Sequence, residues 1–151
     1  MDLFYPNERE KLIKYIRENH PCKIAALDIG RKKVGFAICN TLVKASVARV
    51  SFVNCSLNSI SQKLKEENIK ALIIGISMMG EEIIESALYI KNCAKKICTN
   101  LNIPGLLVNE AFTTTIADSI LRLEGMNRRE RNQKDDSIAA LIMLDEFLEK
   151  L

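Results

Sequence analysis

Apolar positions along the chain change period near residue 56. Before that point they come in short, nearly continuous runs: KIAALDI over 23–29, VGFAIC over 34–39 and a stretch over about 45–53. Such runs, the first two separated by the glycine-containing GRKK, predict strands with short connections, and therefore an antiparallel meander. Upstream, PNEREKLIKYIRENH sets Leu12, Ile13, Tyr15 and Ile16 on one side of a helix over 7–19. Asn7 stands as its N-cap, Glu10 at the capping-box position, and Pro21 stops it near His20. After residue 56 the pattern predicts a helix at about 57–67, the strand ALIIGI at 71–76, a helix at about 81–101 and the strand GLLV at 105–108. Alternating strand and helix imply parallel pairing of these later strands. Two last helices, at about 114–124 and 136–150, are expected on either side of the polar run NRRERNQK, which reads as a loop. The expected architecture is α/β: a mixed five-stranded sheet, an antiparallel three-strand meander plus parallel βαβ strands, with helices on both faces.

Composition narrows the class. A chain of 151 residues, 48% apolar and 27% charged, suits one soluble domain able to bury a core without staples. No stretch resembles a membrane span, and MDLFYPNEREK lacks the apolar segment of an export signal, so a cytoplasmic location is expected, with no membrane partner. Five scattered cysteines without a C-x-x-C, and one histidine, His20, exclude a zinc site and read as reduced thiols. The net charge of +3 indicates nothing by itself. Its distribution does: RKK at 31–33 and the basic run at 127–134 concentrate positive charge in two segments suited to a phosphate backbone.

Three carboxylates stand in apolar settings. Asp28 interrupts the first strand, where an ionised side chain among Ile24, Ala26, Leu27 and Ile29 is costly unless paired. Glu110 follows GLLVN at the carboxyl end of the last strand, a usual location for site residues in α/β sheets. Asp136 lies on the wheel stripe of Ala139, Ala140, Met143, Leu144, Phe147 and Leu151, whereas Asp135 falls nearer Glu146 and Glu149. Asp135 is therefore expected to cap the final helix and Asp136 to do chemistry. Were the three to converge, their repulsion would call for a divalent cation, and an oxygen-only set favours Mg²⁺ or Mn²⁺.

The stretches ALDIGRKKVGFAIC, IIGISMMG at 73–80, NEAFTTTIA at 109–117 and DSIAALIML at 136–144, in that order, resemble the YqgF family, the RuvX-type Holliday junction resolvases also described as pre-16S rRNA nucleases. The resemblance spans residues 23–151, an RNase H-like nuclease domain, and leaves 1–22 as an N-terminal helical extension. It implies an RNase H-like fold and a catalytic, metal-binding triad of Asp28, Glu110 and Asp136. It also matches Gly30 and Gly35 to the glycines of the first hairpin, and Thr113 and Thr114 to a hydroxyl pair that caps a helix or contacts phosphate. The implied activity is metal-dependent endonuclease action on structured nucleic acid, precursor rRNA or branched DNA, by a monomer or weak homodimer. Phosphate contacts are expected from Arg31, Lys32, Lys33, Arg128, Arg129, Arg131 and Lys134. The chain departs from the family pattern at Asn109 and Ala111, where Asp and Arg are usual, at Ile116 for Glu, Ser77 for Pro and Asn40 for Asp. Those departures motivate a second reading, a non-catalytic nucleic-acid-binding factor on the same fold. A sugar-kinase-like phosphotransferase, suggested by DIGRKKVG alone, needs a second domain for which 151 residues leave no room.

Overall fold

The computed structural model describes residues 3–30, 33–43, 45–48, 52–53, 56–79, 82–109 and 128–151. Strand β1 (Leu3–Phe4) leads through a 3-10 turn (Pro6–Glu8) into helix α1 (Arg9–Glu18). The meander follows as β2 (Lys23–Ile29), β3 (Lys33–Asn40), β4 (Ala45–Ala48) and β5 (Phe52–Val53), and then helix α2 (Leu57–Glu66) and strand β6 (Ile69–Ile76). A small hairpin, β7 (Met78–Met79) and β8 (Glu82–Ile83), precedes helix α3 (Leu88–Leu101), strand β9 (Gly105–Asn109) and helix α4 (Arg128–Glu149).

The main sheet runs in the order β1-β9-β6-β2-β3-β4, with β5 also paired to β3. The expected meander is present: β2 and β3 are antiparallel from Lys23↔Asn40 to Ile29↔Val34, and β3 pairs antiparallel with β4 and β5. The third strand of that meander is described over Ala45–Ala48 and Phe52–Val53. Strands β2, β6 and β9 are mutually parallel, as expected of βαβ units. Two-residue β1 joins β9 in parallel at the edge, an addition too short for its sequence to announce.

Strand alternation divides the core into two layers. Ala25, Leu27, Phe36, Leu72, Ile74, Ile76 and Leu107 face α2 and α3, where Ile60, Leu64, Ala94, Ile97 and Cys98 close the packing. Ile24, Ala26, Ala37, Cys39, Ala71, Ile73, Leu106 and Val108 face α1 and α4. There Leu12, Ile13 and Ile16 pack in one cluster with Ala140, Met143, Leu144 and Phe147. The amphipathic spacing read for α1 thus describes a core helix.

Several boundaries differ from the sequence-based expectation. Asn7 caps no helix: it lies inside the 3-10 turn, which is capped at Tyr5 by the Glu8 carboxylate accepting from the Tyr5 N–H at 3.0 Å, and α1 starts at Arg9. Residues expected to open the helix at about 81 instead form the β7–β8 hairpin and a 3-10 turn over Glu85–Ala87. The basic run is not a loop, because α4 is helical from Arg128 onward. Arg, Glu, Gln and Lys are good helix formers, and without an apolar period they extend a helix whose downstream half packs. Asp135 and Asp136 therefore lie inside α4, and Asp135 does not stand at its amino terminus as expected. The helix expected at 114–124 lies outside the described residues.

The described cysteines, Cys22, Cys39, Cys93 and Cys98, are free and buried. Burial pushes the thiols of Cys22 and Cys39 up and that of Cys98 to about 12, so they pack as neutral groups. Cys98 also shows how closely α3 meets the sheet. A Cβ on Gly105 would stand 2.7 Å from the Cys98 Sγ and 3.2 Å from methyls of Ile74 and Leu3. Gly105→Ala is expected to cost about 1–3 kcal/mol by overpacking, read as a lowered denaturation midpoint in urea with unchanged slope.

Candidate active site

Asp28 sits one residue before the end of β2 and is half-buried. By alternation with Ile24 and Ala26 it faces the layer of α1 and α4. Its neighbours across the sheet are unusual. On β3 it pairs with Gly35. On β6 the register Leu27↔Ile74 carries forward to Gly75, and Gly75 in turn pairs with Val108 of β9. One row of the sheet therefore reads Gly35–Asp28–Gly75–Val108, with no side chain beside the carboxylate on either flanking strand. Sequence reasoning noticed Gly35 but passed over Gly75. The available signal was a glycine inside an otherwise apolar strand, which often marks a close approach of ligand or backbone.

The turn before this row is tight. The Gly30 N–H donates to the Lys33 carbonyl at 2.8 Å, and a Cβ on Gly30 would stand 3.0 Å from that oxygen. Lys33 lies in β3 on the far side of the turn; Arg31 and Lys32 lie outside the described residues.

Two further described elements, β9 and α4, lead toward the same end of the sheet. Strand β9 ends at Asn109, two strands from β2, and Glu110 is the next residue in the chain. Glu110, Ala111, Thr113, Thr114 and Ile116 all lie outside the described residues. Helix α4 runs antiparallel to β2. Its end is fixed near the amino terminus of β2, where Arg17 Nη2 donates to the Leu151 carbonyl at 3.1 Å and the Thr41 N–H donates to the Cys22 carbonyl at 2.9 Å. Its upstream half, carrying Arg128, Arg129, Arg131, Lys134 and Asp136, therefore leads toward the carboxyl end of β2. Among the described residues no three His, Cys, Asp or Glu side chains are grouped to hold a metal ion, and those of Glu110 and Asp136 are not among them.

Asn40, one of the departures from the family pattern, belongs elsewhere. It pairs with Lys23 at the opposite end of β2, and its Oδ1 accepts from the Leu42 N–H at 3.0 Å, closing the turn into β4. His20 is also remote and structural: its Nδ1 lies 2.9 Å from the Thr41 Oγ1, which accepts from the Cys22 N–H.

A sequence profile of the RuvX family, described as Holliday junction resolvase, matches residues 22–150. The chain belongs to the RuvX family. Curated relatives include proteins of Rickettsia bellii strain OSU 85-389, 28% identical with 96% of each chain covered, and of Rickettsia felis, 28% identical with 93% of this chain and 97% of that one covered. Both carry the name "Putative pre-16S rRNA nuclease". The RuvX chain also resembles solved structures. Thermus thermophilus RuvC with a Holliday junction substrate superposes with TM-score 0.54 at 10% identity, covering 85% of this chain and 95% of that one. The fowlpox virus resolvase with junction DNA gives 0.56 at 15% identity, covering 85% and 97%. At such identities the likeness establishes the RNase H-like, resolvase-type fold of this RuvX protein, in agreement with its meander and parallel βαβ strands.

Proposed function

We propose that this RuvX protein is a metal-dependent endonuclease that hydrolyses phosphodiester bonds in structured nucleic acid, with precursor 16S rRNA the preferred substrate. The observation that carries the reading is Asp28 on a floor of glycines at the carboxyl end of a central strand. A carboxylate there is flanked in its row by Gly35 and Gly75, which add no side chain of their own beside it. The names of the Rickettsia relatives favour rRNA, and the junction-bound fold relatives make branched DNA the second substrate to test.

The metal site is assigned to Asp28, Glu110 and Asp136. Dimensions of the helix and strand support this grouping. Burial first, and then the charge of Asp145, push the Cys39 thiol up, so Asp145 stands near Cys39, the partner of Ile24. Asp28 lies about 13 Å further along β2 at 3.3 Å per residue. Asp136, nine residues before Asp145, lies about 14 Å along the antiparallel α4 at 1.5 Å per residue. These spans favour one level for the backbone at Asp28 and at Asp136, and β9 runs toward that end of the sheet. The donor set is entirely oxygen and fits Mg²⁺ or Mn²⁺. A divalent cation bound there supplies Lewis-acid stabilisation of the phosphate and activation of the attacking water.

The other residues hold the substrate. Arg31, Lys32 and Lys33 at the β2–β3 turn, and Arg128, Arg129, Arg131 and Lys134 on α4, contact phosphates on either side of the scissile bond, with Thr113 and Thr114 adding hydroxyl donors. None of these groups reads base identity, so recognition is by backbone and shape. Replacing Arg128, Arg129 and Arg131 by Ala is expected to weaken binding to every sequence alike and to lower the salt slope of log K by roughly 2, with Mn²⁺ affinity unchanged. An unaltered slope would remove α4 from the interface.

The direct test is incubation with Mg²⁺ or Mn²⁺ and labelled precursor 16S rRNA or a four-way DNA junction. Cleavage that requires the cation and disappears with the triad supports the reading. Binding without cleavage would favour a non-catalytic assembly factor, the reading that Asn109 and Ala111 motivate.

A further inference from the structure

We infer that Ser77 contacts the substrate: its hydroxyl donates to a non-bridging oxygen of the phosphodiester lying across the glycine floor beside Asp28. This deepens the nuclease reading and rests on it.

The position of Ser77 follows from its neighbours. Ile76 is fully buried toward α2 and α3, and Met78 packs against the same layer. The intervening side chain consequently faces the other way, toward the side of Gly75, Asp28 and α4. The backbone there is held. The Ser77 carbonyl accepts from the Ile84 N–H at 3.5 Å, closing the base of the β7–β8 hairpin, while Ile83 and Ile84 pack on the core. Ser77 is half-buried. Two residues along β6 and one strand across from Asp28, its Cα lies roughly 8 Å from that of the aspartate. That span fits a phosphate held between the carboxylate end and the hydroxyl.

The chemistry favours phosphate over metal as the partner of Ser77. A neutral hydroxyl carries a single donor suited to a phosphate oxygen, and adds no charge to offset a cation. Ala111 has no donor where the family pattern carries Arg, and Ser77 supplies one where that pattern has Pro.

The test compares Ser77→Ala and Ser77→Thr with wild type in Mg²⁺-dependent cleavage of precursor rRNA and of the DNA junction, with calorimetric titration of Mn²⁺ and thermal melts alongside. Ser77→Ala should raise KM roughly ten- to a hundredfold, the effect of one lost hydrogen bond to a charged group, with kcat, Mn²⁺ affinity and Tm unchanged. Ser77→Thr, which keeps the hydroxyl, should stay within about twofold of wild type. A wild-type KM in Ser77→Ala, a Thr variant as impaired as Ala, or a parallel loss of Mn²⁺ affinity overturns the assignment while leaving the nuclease reading in place. If the wild-type protein neither binds nor cuts either nucleic acid, the nuclease reading fails and the role of Ser77 fails with it.

Discussion

Asp28→Asn should abolish cation-dependent cleavage, by roughly a thousandfold or more, while leaving the metal-free protein as stable as wild type or more so. Asn preserves the shape of Asp and can still accept a hydrogen bond, so the β2 strand and its pairing with Gly35 survive. What changes is charge. Without a cation, clustered carboxylates repel, and neutralising one relieves part of that repulsion; with a cation, the same change removes a ligand. Melts of both proteins in EDTA, then in Mn²⁺, separate the two effects. Wild type should gain more stability from Mn²⁺ than the variant does, because only a cation that binds the folded state raises its melting temperature. A variant markedly less stable in EDTA would make Asp28 a structural residue.

Leu12→Ala and Ile16→Ala should each lower the unfolding free energy by about 2–5 kcal/mol, in a single transition. Both side chains are essentially inaccessible and share one cluster with Met143, Leu144 and Phe147 of α4. Each truncation therefore leaves a cavity in the layer between the sheet and these helices. Denaturant titration followed by circular dichroism reads the loss directly. A biphasic curve, with a small early step and an unshifted main transition, would show α1 to be an appendage that loosens by itself.

The parts of this fold legible in the sequence were those whose apolar period is strong. KIAALDI and VGFAIC are buried on both faces, and their composition admits little except strand. The β7–β8 hairpin was missed because EEIIESALYIKN is compatible with helix, and the turn signal at Gly80 is a single residue against a long window. The start of α4 was missed for the opposite reason: its first turns carry no apolar marker, and propensity alone does not separate helix from loop in a polar run. At the site, Asp28 was conspicuous as a charge inside a strand. Gly75 was not, since its importance depends on lying beside Asp28 in the sheet, and strand order is a property of the whole fold. Asn40 shows the same limit from the other direction. Its departure from the family pattern looked relevant to chemistry, yet the antiparallel register carries it to the far end of the sheet.

The pairing of β1 with β9, and the Arg17–Leu151 hydrogen bond between residues 134 apart, set an order of events during synthesis. Helix α1 lies against β1 and β9, and its Leu12, Ile13 and Ile16 belong to the cluster that α4 completes with Met143, Leu144 and Phe147. The meander can pair early, being local, but this layer of the core closes only once α4 has been made. Chains halted before residue 140 should therefore expose to chaperones the apolar sheet face that α4 covers.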